Sequence, residues 1–414
     1  MMTTSNCRHC GHNLSLTFVD LGTAPPSNSY VTAEQLAEPE TYFPLRVLVC
    51  DECWLVQTQD FAERDVFFSA DYAYFSSTSK SWLAHAQSYV ETMAERFDLT
   101  TSSCFVEVAS NDGYLLQYVQ ELKVPCYGIE PTHSTAVASR EKGIETHEEF
   151  FGRDLAKRLR NAGKSADLIA ANNVLAHVPD INDFLAGFSI LLKDTGVVTF
   201  EFPHLMRLVS ECQFDTIYHE HYSYLSLLAV DRIATANGLH VFDVEEIGTH
   251  GGSLRVYAQR ADQQPYPLSD NVSMLLQRER DAGMATREYY AAFQTSVYDI
   301  RNGAMRYLMD AKDRGLSVAA YGAAAKGNTF MNFCGIRSDL IEYVCDMAPA
   351  KQGKYMPGSR LPIERPNKIE ETKPDRILIF PWNIKNEVAA QLSYVGDWDA
   401  KFVIAIPQIE EFSP

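Results

Sequence analysis

Four cysteines near the N-terminus form two Cys-x-x-Cys pairs, Cys7 with Cys10 and Cys50 with Cys53. Four thiolates in this pattern typically bind zinc with tetrahedral geometry. The long gap between the pairs is compatible with one shared site, because the entropy cost of closing a loop rises only slowly with its length. A thioredoxin-like redox site is the alternative, but neither pair follows a strand and opens a helix, which favours zinc. Since four protein ligands leave no position for a substrate, we expect this zinc to stabilise its domain only.

The segment 218–224 carries a second concentration of reactive side chains. It contains Tyr218, His219, Glu220, His221, Tyr222 and Tyr224. Histidine is a suitable general base near neutral pH, a tyrosine hydroxyl can donate to a developing oxyanion, and a carboxylate can orient an imidazole. Such a set suits the removal of a proton from a carbon next to a ketone. A His-x-His metal site or a polar interface is the alternative for His219 and His221.

An acidic turn at 107–114 lies between a predicted strand and a predicted helix. Turns of this type present backbone N–H groups and a helix N-terminus to a ligand. Dinucleotide-binding folds use several glycines to bind a pyrophosphate, and of these the turn has only Gly113. The carboxylates of Glu107 and Asp112 would also repel a pyrophosphate. The turn therefore favours a ligand with a positive centre and an amino group, such as S-adenosylmethionine. An ordinary capped turn without a ligand is the alternative.

Candidate cofactor-binding residues follow from this hypothesis. The turn supplies Glu107, Ala109, Ser110, Asn111, Gly113 and Tyr114. Glu130 ends the next strand, at an offset where an acidic residue typically binds ribose hydroxyls. Asn172 and Asn173 end the third strand, and we expect them beside the adenine or the sulfonium of the cofactor.

Three further residues are candidates for the substrate side of the site. His177 follows the strand that ends at the Asn172–Asn173 pair, where substrate-facing loops lie in α/β sheets, and it is a second candidate for proton transfer. Tyr72 and Tyr74 precede the cofactor domain, and either could cover the substrate; we place Tyr72 in the catalytic group and Tyr74 in the substrate-binding group. The alternatives are an ordinary loop histidine and aromatic packing between domains.

The segment 322–329 is a turn rich in small residues between a predicted strand and a predicted helix. Small residues let backbone N–H groups approach a diphosphate, and Lys326 adds positive charge. The candidate substrate-binding residues here are Gly322, Lys326, Asn328, Asp346 and Lys351, with Tyr222 from the segment 218–224. A scaffold that binds no nucleotide is the alternative.

The elements that must position these residues alternate between strand and helix. Predicted strands lie at 105–108, 126–130, 167–172, 197–201 and 254–258, and a second series lies at 317–322, 341–346, 376–380 and 402–407. This βαβ order predicts an α/β fold with two doubly wound, Rossmann-like halves. We expect a small zinc-binding domain over 1–68, a cofactor domain over 69–260, and connecting helices followed by a substrate-binding domain over 261–414.

Composition narrows the function classes further. The chain has 414 residues, of which 46% are hydrophobic and 22% charged, so it can form several folded domains and is not disordered as a class. The net charge of −18 disfavours nucleic acid as the main partner. No apolar run approaches the ~18 residues that span a bilayer, and no signal peptide is visible. We therefore expect a cytoplasmic protein without a membrane partner; its oligomeric state stays open, a monomer included.

Four segments make the chain resemble the three-domain sugar C-methyltransferases. They are the four cysteines, Glu-Val-Ala-Ser-Asn-Asp-Gly at 107–113, Tyr-His-Glu-His-Tyr at 218–222, and Gly-Ala-Ala-Ala-Lys-Gly-Asn-Thr at 322–329. The resemblance covers essentially the whole chain, and it implies structural zinc, S-adenosylmethionine and a dTDP-sugar bound between the second and third domains. It also implies methylation at C3 of a nucleotide-linked 4-keto-deoxyhexose in branched deoxysugar biosynthesis, with His221 as the base and Tyr218 and Glu220 beside it.

Two other functions stay open at this point. An O- or N-methyltransferase on a related nucleotide sugar would keep the cofactor and change the acceptor atom. A zinc-ribbon module that binds nucleic acid or protein would use the cysteines alone, but the negative charge and the tyrosine- and histidine-rich segment disfavour it.

Overall fold

A four-stranded antiparallel sheet forms the N-terminal part of the molecule, and the computed structural model describes residues 6–61 and 75–414. Its strands, numbered along the chain, are β1 (Leu16–Ala24), β2 (Phe43–Val49), β3 (Val56–Thr58) and β9 (Ser223–Tyr224). The sheet order is β1-β2-β3-β9, so the last strand comes from a region far along the chain. The N-terminal sheet is therefore completed by the residues that directly follow the segment 218–222.

The second sheet has seven strands in the order β10-β11-β8-β7-β4-β5-β6. They are β4 (Phe105–Val108), β5 (Cys126–Ile129), β6 (Thr146–His147), β7 (Ala166–Asn172), β8 (Leu192–Pro203), β10 (Leu239–Ile247) and β11 (Ser253–Arg260). The strands β4 to β8 pair in parallel, and β10 and β11 add an antiparallel edge. The sequence did not predict β6 or β10. The α-helices of this part are Lys80–Arg96, Leu116–Glu121, His133–Glu141, Arg153–Asn161, Ile181–Leu191, Leu205–Ser210 and Leu227–Ala236.

The third sheet has six strands in the order β14-β13-β12-β15-β16-β17. They are β12 (Val318–Tyr321), β13 (Val344–Cys345), β14 (Ile363–Glu364), β15 (Arg376–Ile379), β16 (Lys401–Ile404) and β17 (Glu410–Phe412). The helices Asp270–Asp281, Arg287–Ala291 and Phe293–Asp313 lead into it, and Ala325–Cys334, Asn367–Thr372 and Lys385–Gln391 pack around it. The two α/β units expected from the sequence are present. Across the described ranges, no helix is both long and apolar enough to cross a membrane.

Buried apolar runs explain why the central strands form. All four residues of β4 are buried, as are those of β12, which is typical of parallel strands covered on both faces by helices. In the second sheet β5 lies on one side of β4 and β7 lies on the other side. In the third sheet β13 and β15 lie on opposite sides of β12 in the same way. Because ligands bind in α/β folds where the strand order reverses, the carboxyl ends of the β4/β7 and β12/β15 pairs are the expected binding crevices.

The four paired cysteines meet in one cluster. Sγ of Cys7 lies 3.5 Å from Sγ of Cys53, Sγ of Cys10 lies 3.5 Å from Sγ of Cys50, and all four sulfurs lie within 4.8 Å of one another. A tetrahedron with zinc–sulfur bonds of ~2.3 Å places its sulfurs about 3.8 Å apart, so the cluster fits a zinc ion. In the part of the chain that is described, no other group of three or more histidine, cysteine or acidic side chains has metal-binding geometry.

The cysteine cluster is docked tightly on the second unit. Arg8 donates to the carbonyl oxygens of Thr58 (2.9 Å) and Pro179 (3.1 Å), and its guanidinium lies over the ring of Tyr222. Asn182, on the helix Ile181–Leu191, donates to the carbonyl of the knuckle residue His9 at 2.8 Å. Three of the four cysteines belong to the same hydrophobic core as the second sheet. The N-terminal domain is therefore continuous with the cofactor domain in its packing.

Replacing Cys50 by Ser removes one thiolate, so we expect metal analysis to show a fall from about one zinc per chain to a small fraction of that. Loss of the metal should open the N-terminal sheet. Because β9 belongs to that sheet, hydrogen exchange of residues 218–224 should rise too. The affinity for S-adenosylhomocysteine should change little, since the candidate cofactor turn lies on the second sheet.

The matched control is Cys104→Ser, a half-buried cysteine outside the cluster, which should keep its zinc. Full zinc content in Cys50→Ser would contradict the four-cysteine site. Loss of zinc with unchanged exchange at 218–224 would contradict the role of the N-terminal sheet in holding that segment.

Candidate functional site

The turn after β4 adopts a strained conformation that favours ligand binding. Ala109, Asn111 and Gly113 have φ values of +60°, +49° and +75°. A side chain at Gly113 would place its Cβ 2.4 Å from Ile144 Cδ1, so only glycine fits there. The N–H of Asn111 donates to Glu130 at 2.9 Å, which ties this turn to the end of β5. The structure therefore brings Glu130 and the turn together, as the sequence predicted.

Several polar atoms around this turn are buried without a hydrogen-bond partner in the described ranges. They are Glu107 Oε2, Ser110 Oγ, Asn172 Oδ1 and Asn173 Nδ2. Burial raises the pKa of Glu107 well above its usual value, despite a hydrogen bond from Tyr114, and burial also raises the pKa of Glu130. A ligand with a positive centre and hydrogen-bonding groups would satisfy these atoms, because buried polar groups are normally paired. The residues present therefore fit S-adenosylmethionine.

Residues 75–82 cover the turn, which the sequence did not predict. The N–H of Ser76 donates to Asn111 Oδ1 at 2.9 Å, and Ser77 and Lys142 bind the carboxylate of Asp112. Trp82 stacks on Tyr114 with ring centres 6.0 Å apart. Oδ2 of Asp112 is therefore bound by protein groups, whereas its Oδ1 is buried without a hydrogen-bond partner in the described ranges. The candidates Tyr72 and Tyr74 lie outside the described residues.

Two histidines that are distant in sequence meet at the carboxyl edge of the second sheet. The ring centres of His177 and His221 are 4.6 Å apart. Nδ1–H of His177 donates to the carbonyl of Glu220 at 2.8 Å, and Nδ1–H of His221 donates to the carbonyl of Thr216 at 2.9 Å. Since a carbonyl can only accept, both neutral rings carry their proton on Nδ1. The basic lone pair of each ring is therefore on Nε2.

The electrostatic environment keeps both histidines neutral. Burial lowers the pKa of His177 to about 4. Burial, followed by the neighbouring His177 ring, holds the pKa of His221 well below its usual value, and the Lys326 ammonium contributes in the same direction. Tyr218 packs against His221 with ring centres 4.0 Å apart. Near neutral pH, His221 is thus an unprotonated imidazole that can accept a proton.

The other members of the segment 218–224 face the N-terminal domain. Glu220 accepts a hydrogen bond from Asn28 at 3.1 Å, and burial raises the pKa of Glu220 to about 7. His219 donates from Nε2 to the carbonyl of Pro44 at 3.2 Å, and Tyr222 is buried. Backbone carbonyls, and not the carboxylate of Glu220, orient the two histidines. His219 and His221 point to different partners, which does not match a His-x-His metal site.

The small residues of the C-terminal turn are used for internal packing. A Cβ on Gly322, whose φ is +93°, would lie 2.4 Å from Pro381, and one on Gly327 would lie 2.6 Å from Phe380. Asn328 is fully buried on the helix that follows. The turn itself, at the carboxyl end of β12, remains positioned at the expected crevice of the third sheet.

Two of the predicted substrate-binding residues pair with each other beside this turn. Lys351 lies 3.5 Å from the carboxylate of Asp346 and donates to the carbonyl of Ala323 at 2.9 Å. Tyr30 of the N-terminal domain donates to the same carbonyl at 2.6 Å. The N-terminal domain and the C-terminal unit therefore meet at this turn.

Lys326 lies at the junction between the second and third units. Its ammonium lies 4.4 Å from the ring centre of Trp382 and donates to Asn383 at 2.9 Å. Trp382 donates from Nε1 to Asp215 at 2.8 Å, and burial raises the pKa of Asp215 to about 6. Sequence reasoning missed Asp215 and Trp382, because single residues in irregular segments give no periodic or motif signal.

Comparison with known proteins identifies three family models along the chain. A zinc-binding domain model matches residues 7–68, a methyltransferase domain model matches 82–244, and a C-methyltransferase C-terminal domain model matches 248–407. Together they cover most of the chain in the order in which the three sheets occur.

One curated relative is similar over nearly the whole length. The C-methyltransferase NovU of Streptomyces niveus is 33% identical over 404 residues, which is 97% of this chain and 95% of the relative. Solved structures include magnesium protoporphyrin IX methyltransferase from Synechocystis PCC 6803 (14% identity, TM-score 0.33, 43% of this chain and 79% of that one). Another is the PH0226 protein of Pyrococcus horikoshii (11% identity, TM-score 0.37, 49% and 100%).

The similarity over nearly the whole chain and the order of the three matched domains assign the chain to one enzyme family. S-Adenosylmethionine is the methyl donor of such an enzyme, and zinc is its structural ion. The chain belongs to the family of zinc-containing, S-adenosylmethionine-dependent C-methyltransferases.

Proposed function

We propose that this C-methyltransferase methylates C3 of a nucleotide-linked 4-keto-deoxyhexose, with dTDP as the nucleotide, in branched deoxysugar biosynthesis. The observation that carries the proposal is the pair formed by His177 and His221, whose rings are 4.6 Å apart and both have a basic Nε2. A carbon acceptor must lose a proton before it can be methylated, and a ketone makes the neighbouring C–H acidic enough for an imidazole base. Across the described ranges none of the nine cysteines forms a disulfide, which suits a reducing compartment, so we place the enzyme in the cytoplasm.

The cofactor would be held at the β4/β7 crevice. The turn residues Glu107, Ala109, Ser110, Asn111, Gly113 and Tyr114, with Glu130, Asn172 and Asn173, would bind it. When bound, the cofactor supplies an electrophilic methyl group on a sulfonium. Glu107 and Glu130 favour a positively charged ligand there, because both carboxyl groups are buried and a nearby positive charge stabilises their ionised form.

His221 is the proposed base for the α-carbon. Its Nδ1–H bond to Thr216 fixes the ring, so Nε2 can take the proton without a change of tautomer. Tyr218 packs on the ring and limits its rotation, while His177, whose Nδ1–H is bound to the carbonyl of Glu220, lies close enough to accept a proton on Nε2 and relay it. Glu220, with one carboxylate oxygen bound to Asn28, would contact the substrate or shape its pocket.

The nucleotide would bind at the β12/β15 crevice. The turn after β12 leads into the helix Ala325–Cys334, and Lys351 and Asp346 lie beside this turn, beyond the end of β13. Such a position leaves the diphosphate over the third sheet and directs the sugar towards the histidine pair. In this arrangement the domain over 1–68 supports the histidine segment, the domain over 69–260 holds the cofactor, and the domain over 261–414 holds the nucleotide.

A substrate panel tests the proposal directly. The enzyme would be incubated with labelled S-adenosylmethionine and dTDP-, GDP- and CDP-linked 4-keto sugars, and the methylated atom identified by NMR. We expect transfer to C3 of a dTDP-linked ketone. Methyl transfer to an oxygen or nitrogen would favour the O- or N-methyltransferase alternative, and transfer to no nucleotide sugar would refute the proposed substrate class.

Glu130→Ala should weaken S-adenosylhomocysteine binding by roughly 10- to 100-fold, because a charge-assisted hydrogen bond contributes about 1.5–3 kcal/mol. Isothermal calorimetry measures the change. The matched control is Glu141→Ala, an exposed acidic residue at the end of a helix in the same domain, which should leave the affinity unchanged. An unchanged dissociation constant for Glu130→Ala would remove Glu130 from the cofactor site.

His221→Asn should lower the turnover number by roughly 10²- to 10⁴-fold, the usual contribution of general-base catalysis. The dissociation constant for the cofactor should stay within about twofold of the wild-type value. A sharper measurement is the exchange of the substrate α-proton in heavy water with S-adenosylhomocysteine bound, followed by NMR: we expect exchange in the wild type and none in His221→Asn.

The control is His219→Asn, which alters the neighbouring histidine that faces Pro44 and should retain exchange. Exchange that persists in His221→Asn but disappears in His177→Asn would assign the base to His177. Full exchange and methylation in both variants would exclude both histidines.

A further inference from the structure

We propose that Lys326 is the cation that stabilises the substrate's enolate oxygen, and that Asp215 and Trp382 are the positioning residues that hold it there. The inference rests on the proposed function, because it requires a ketone that becomes an enolate. It departs from the simplest expectation for a lysine in this turn, which is a contact with the diphosphate of the nucleotide.

The position of Lys326 in the fold is defined by β12 and β15. It is the second residue of the helix Ala325–Cys334, which begins just after β12. Its ammonium lies over the indole of Trp382, 4.4 Å from the ring centre, and donates to Asn383 Oδ1 at 2.9 Å. Both partners follow β15, so the lysine lies over the point where the strand order of the third sheet reverses.

Trp382 connects this lysine to the second unit. Its Nε1–H donates to Asp215 at 2.8 Å, and its ring edge packs so closely on Gly251 that a Cβ there would lie 2.4 Å from it. Asp215 directly precedes Thr216, whose carbonyl accepts the Nδ1–H bond of His221. An unbroken series of contacts therefore runs from the lysine to the segment that orients the proposed base.

A second contact fixes the same segment from the third unit. Thr329, on the helix that carries Lys326, donates to the carbonyl of Ile217 at 2.8 Å. The 214–217 segment is thus held by the helix of Lys326 and by the indole beneath it. Because both contacts come from the third unit, a shift of that unit away from the 214–217 segment would have to break them.

The charges support the same placement. Burial chiefly, and the Lys326 ammonium in addition, lowers the pKa of both His221 and His250, in agreement with the contacts that join the lysine to the 214–217 segment through Trp382. Burial lowers the pKa of Lys326 itself, whereas the Asp215 carboxylate raises it and so favours the ammonium form. The neighbouring histidines are neutral, so the lysine is available to an oxyanion of the substrate.

The diphosphate has other candidate partners. Lys351 lies towards β13: it pairs with Asp346, which directly follows that strand, and it reaches the carbonyl of Ala323. Lys326 instead contacts residues that follow β15 and, through Trp382, the second unit. The two lysines therefore serve opposite ends of a substrate that spans the crevice.

In the proposed step, Nε2 of His221 removes the proton from the α-carbon. The electron pair of the broken C–H bond forms a carbon–carbon double bond, and the carbonyl π pair moves to oxygen as negative charge. Lys326 donates a hydrogen bond to that oxygen and offsets its charge. When the carbon takes the methyl group, the carbonyl re-forms, the cofactor's C–S pair stays on sulfur, and the imidazolium releases its proton to solvent.

The test compares Lys326→Met with Lys351→Met, two substitutions of the same size. We expect Lys326→Met to lower the turnover number by roughly 10²- to 10³-fold, as the loss of one oxyanion donor does, with the dissociation constant for dTDP within about threefold of wild type. Lys351→Met should weaken dTDP binding by roughly tenfold or more and raise the KM for the nucleotide sugar by a similar factor. Lys312→Met, exposed on a connecting helix, serves as the folding and activity control.

A second variant tests the positioning residues. Trp382→Phe keeps an aromatic face under the lysine but removes the Nε1–H bond to Asp215. We expect the turnover number to fall about tenfold without a change in dTDP affinity, and α-proton exchange to slow by the same factor. A role in folding alone would lower the melting temperature and leave both rates per folded enzyme unchanged.

The outcomes distinguish a failure of the proposed function from a failure of the role proposed for Lys326. A wild-type enzyme that methylates no keto sugar would overturn the proposed function and the Lys326 assignment together. A wild-type enzyme that is active, with Lys326→Met near full turnover or with dTDP affinity reduced more than tenfold, would overturn the Lys326 assignment alone. If Lys326→Met fails to fold, Lys326→Arg replaces it, with a reduced turnover number and unchanged dTDP affinity as the supporting result and full turnover as the opposing one.

Discussion

The pairing of β3 with β9 is the constraint on which the rest of the structure depends. The N–H of Thr58 donates to the carbonyl of Tyr222 at 3.1 Å, and its hydroxyl donates to the carbonyl of His221 at 3.0 Å. These bonds hold the backbone at the proposed base and at the next residue, from a strand that closely follows the second cysteine pair. A zinc ion that takes no part in chemistry can therefore determine where a catalytic side chain lies, because backbone pairing transmits position more rigidly than side-chain contact.

The other side of the same segment is held by the third unit. Thr329 and Trp382 hold the 214–217 segment, which provides the carbonyl that orients His221. The imidazole is thus positioned by three domains, at a place where the crevices of two α/β sheets face each other. Such an arrangement suits a reaction between two large ligands, since each sheet can hold one of them while the reacting atoms meet between the sheets.

Burial also sets the protonation states in this region. His177, His221 and His250 all have a pKa lowered chiefly by burial, whereas burial raises the pKa of Asp215 and Glu220. A site from which water is largely excluded keeps imidazoles neutral and strengthens the interaction between a cation and a developing oxyanion. The same desolvation that makes these residues costly to fold makes the bases and the lysine effective.

The sequence by itself determined the four-cysteine cluster, the two α/β units and the strand–turn–helix that follows β4, since cysteine spacing and the alternation of strand and helix are local patterns. It also identified His177 and His221, but as competing candidates 44 positions apart; only the tertiary structure decided that they form one pair. Contacts such as Asp215 with Trp382 and Thr58 with His221 join segments 167 and 163 residues apart. No local pattern encodes such contacts, because they follow from how the three sheets pack. The sequence thus specified the chemical groups, and the packing of the domains decided which of them share one site.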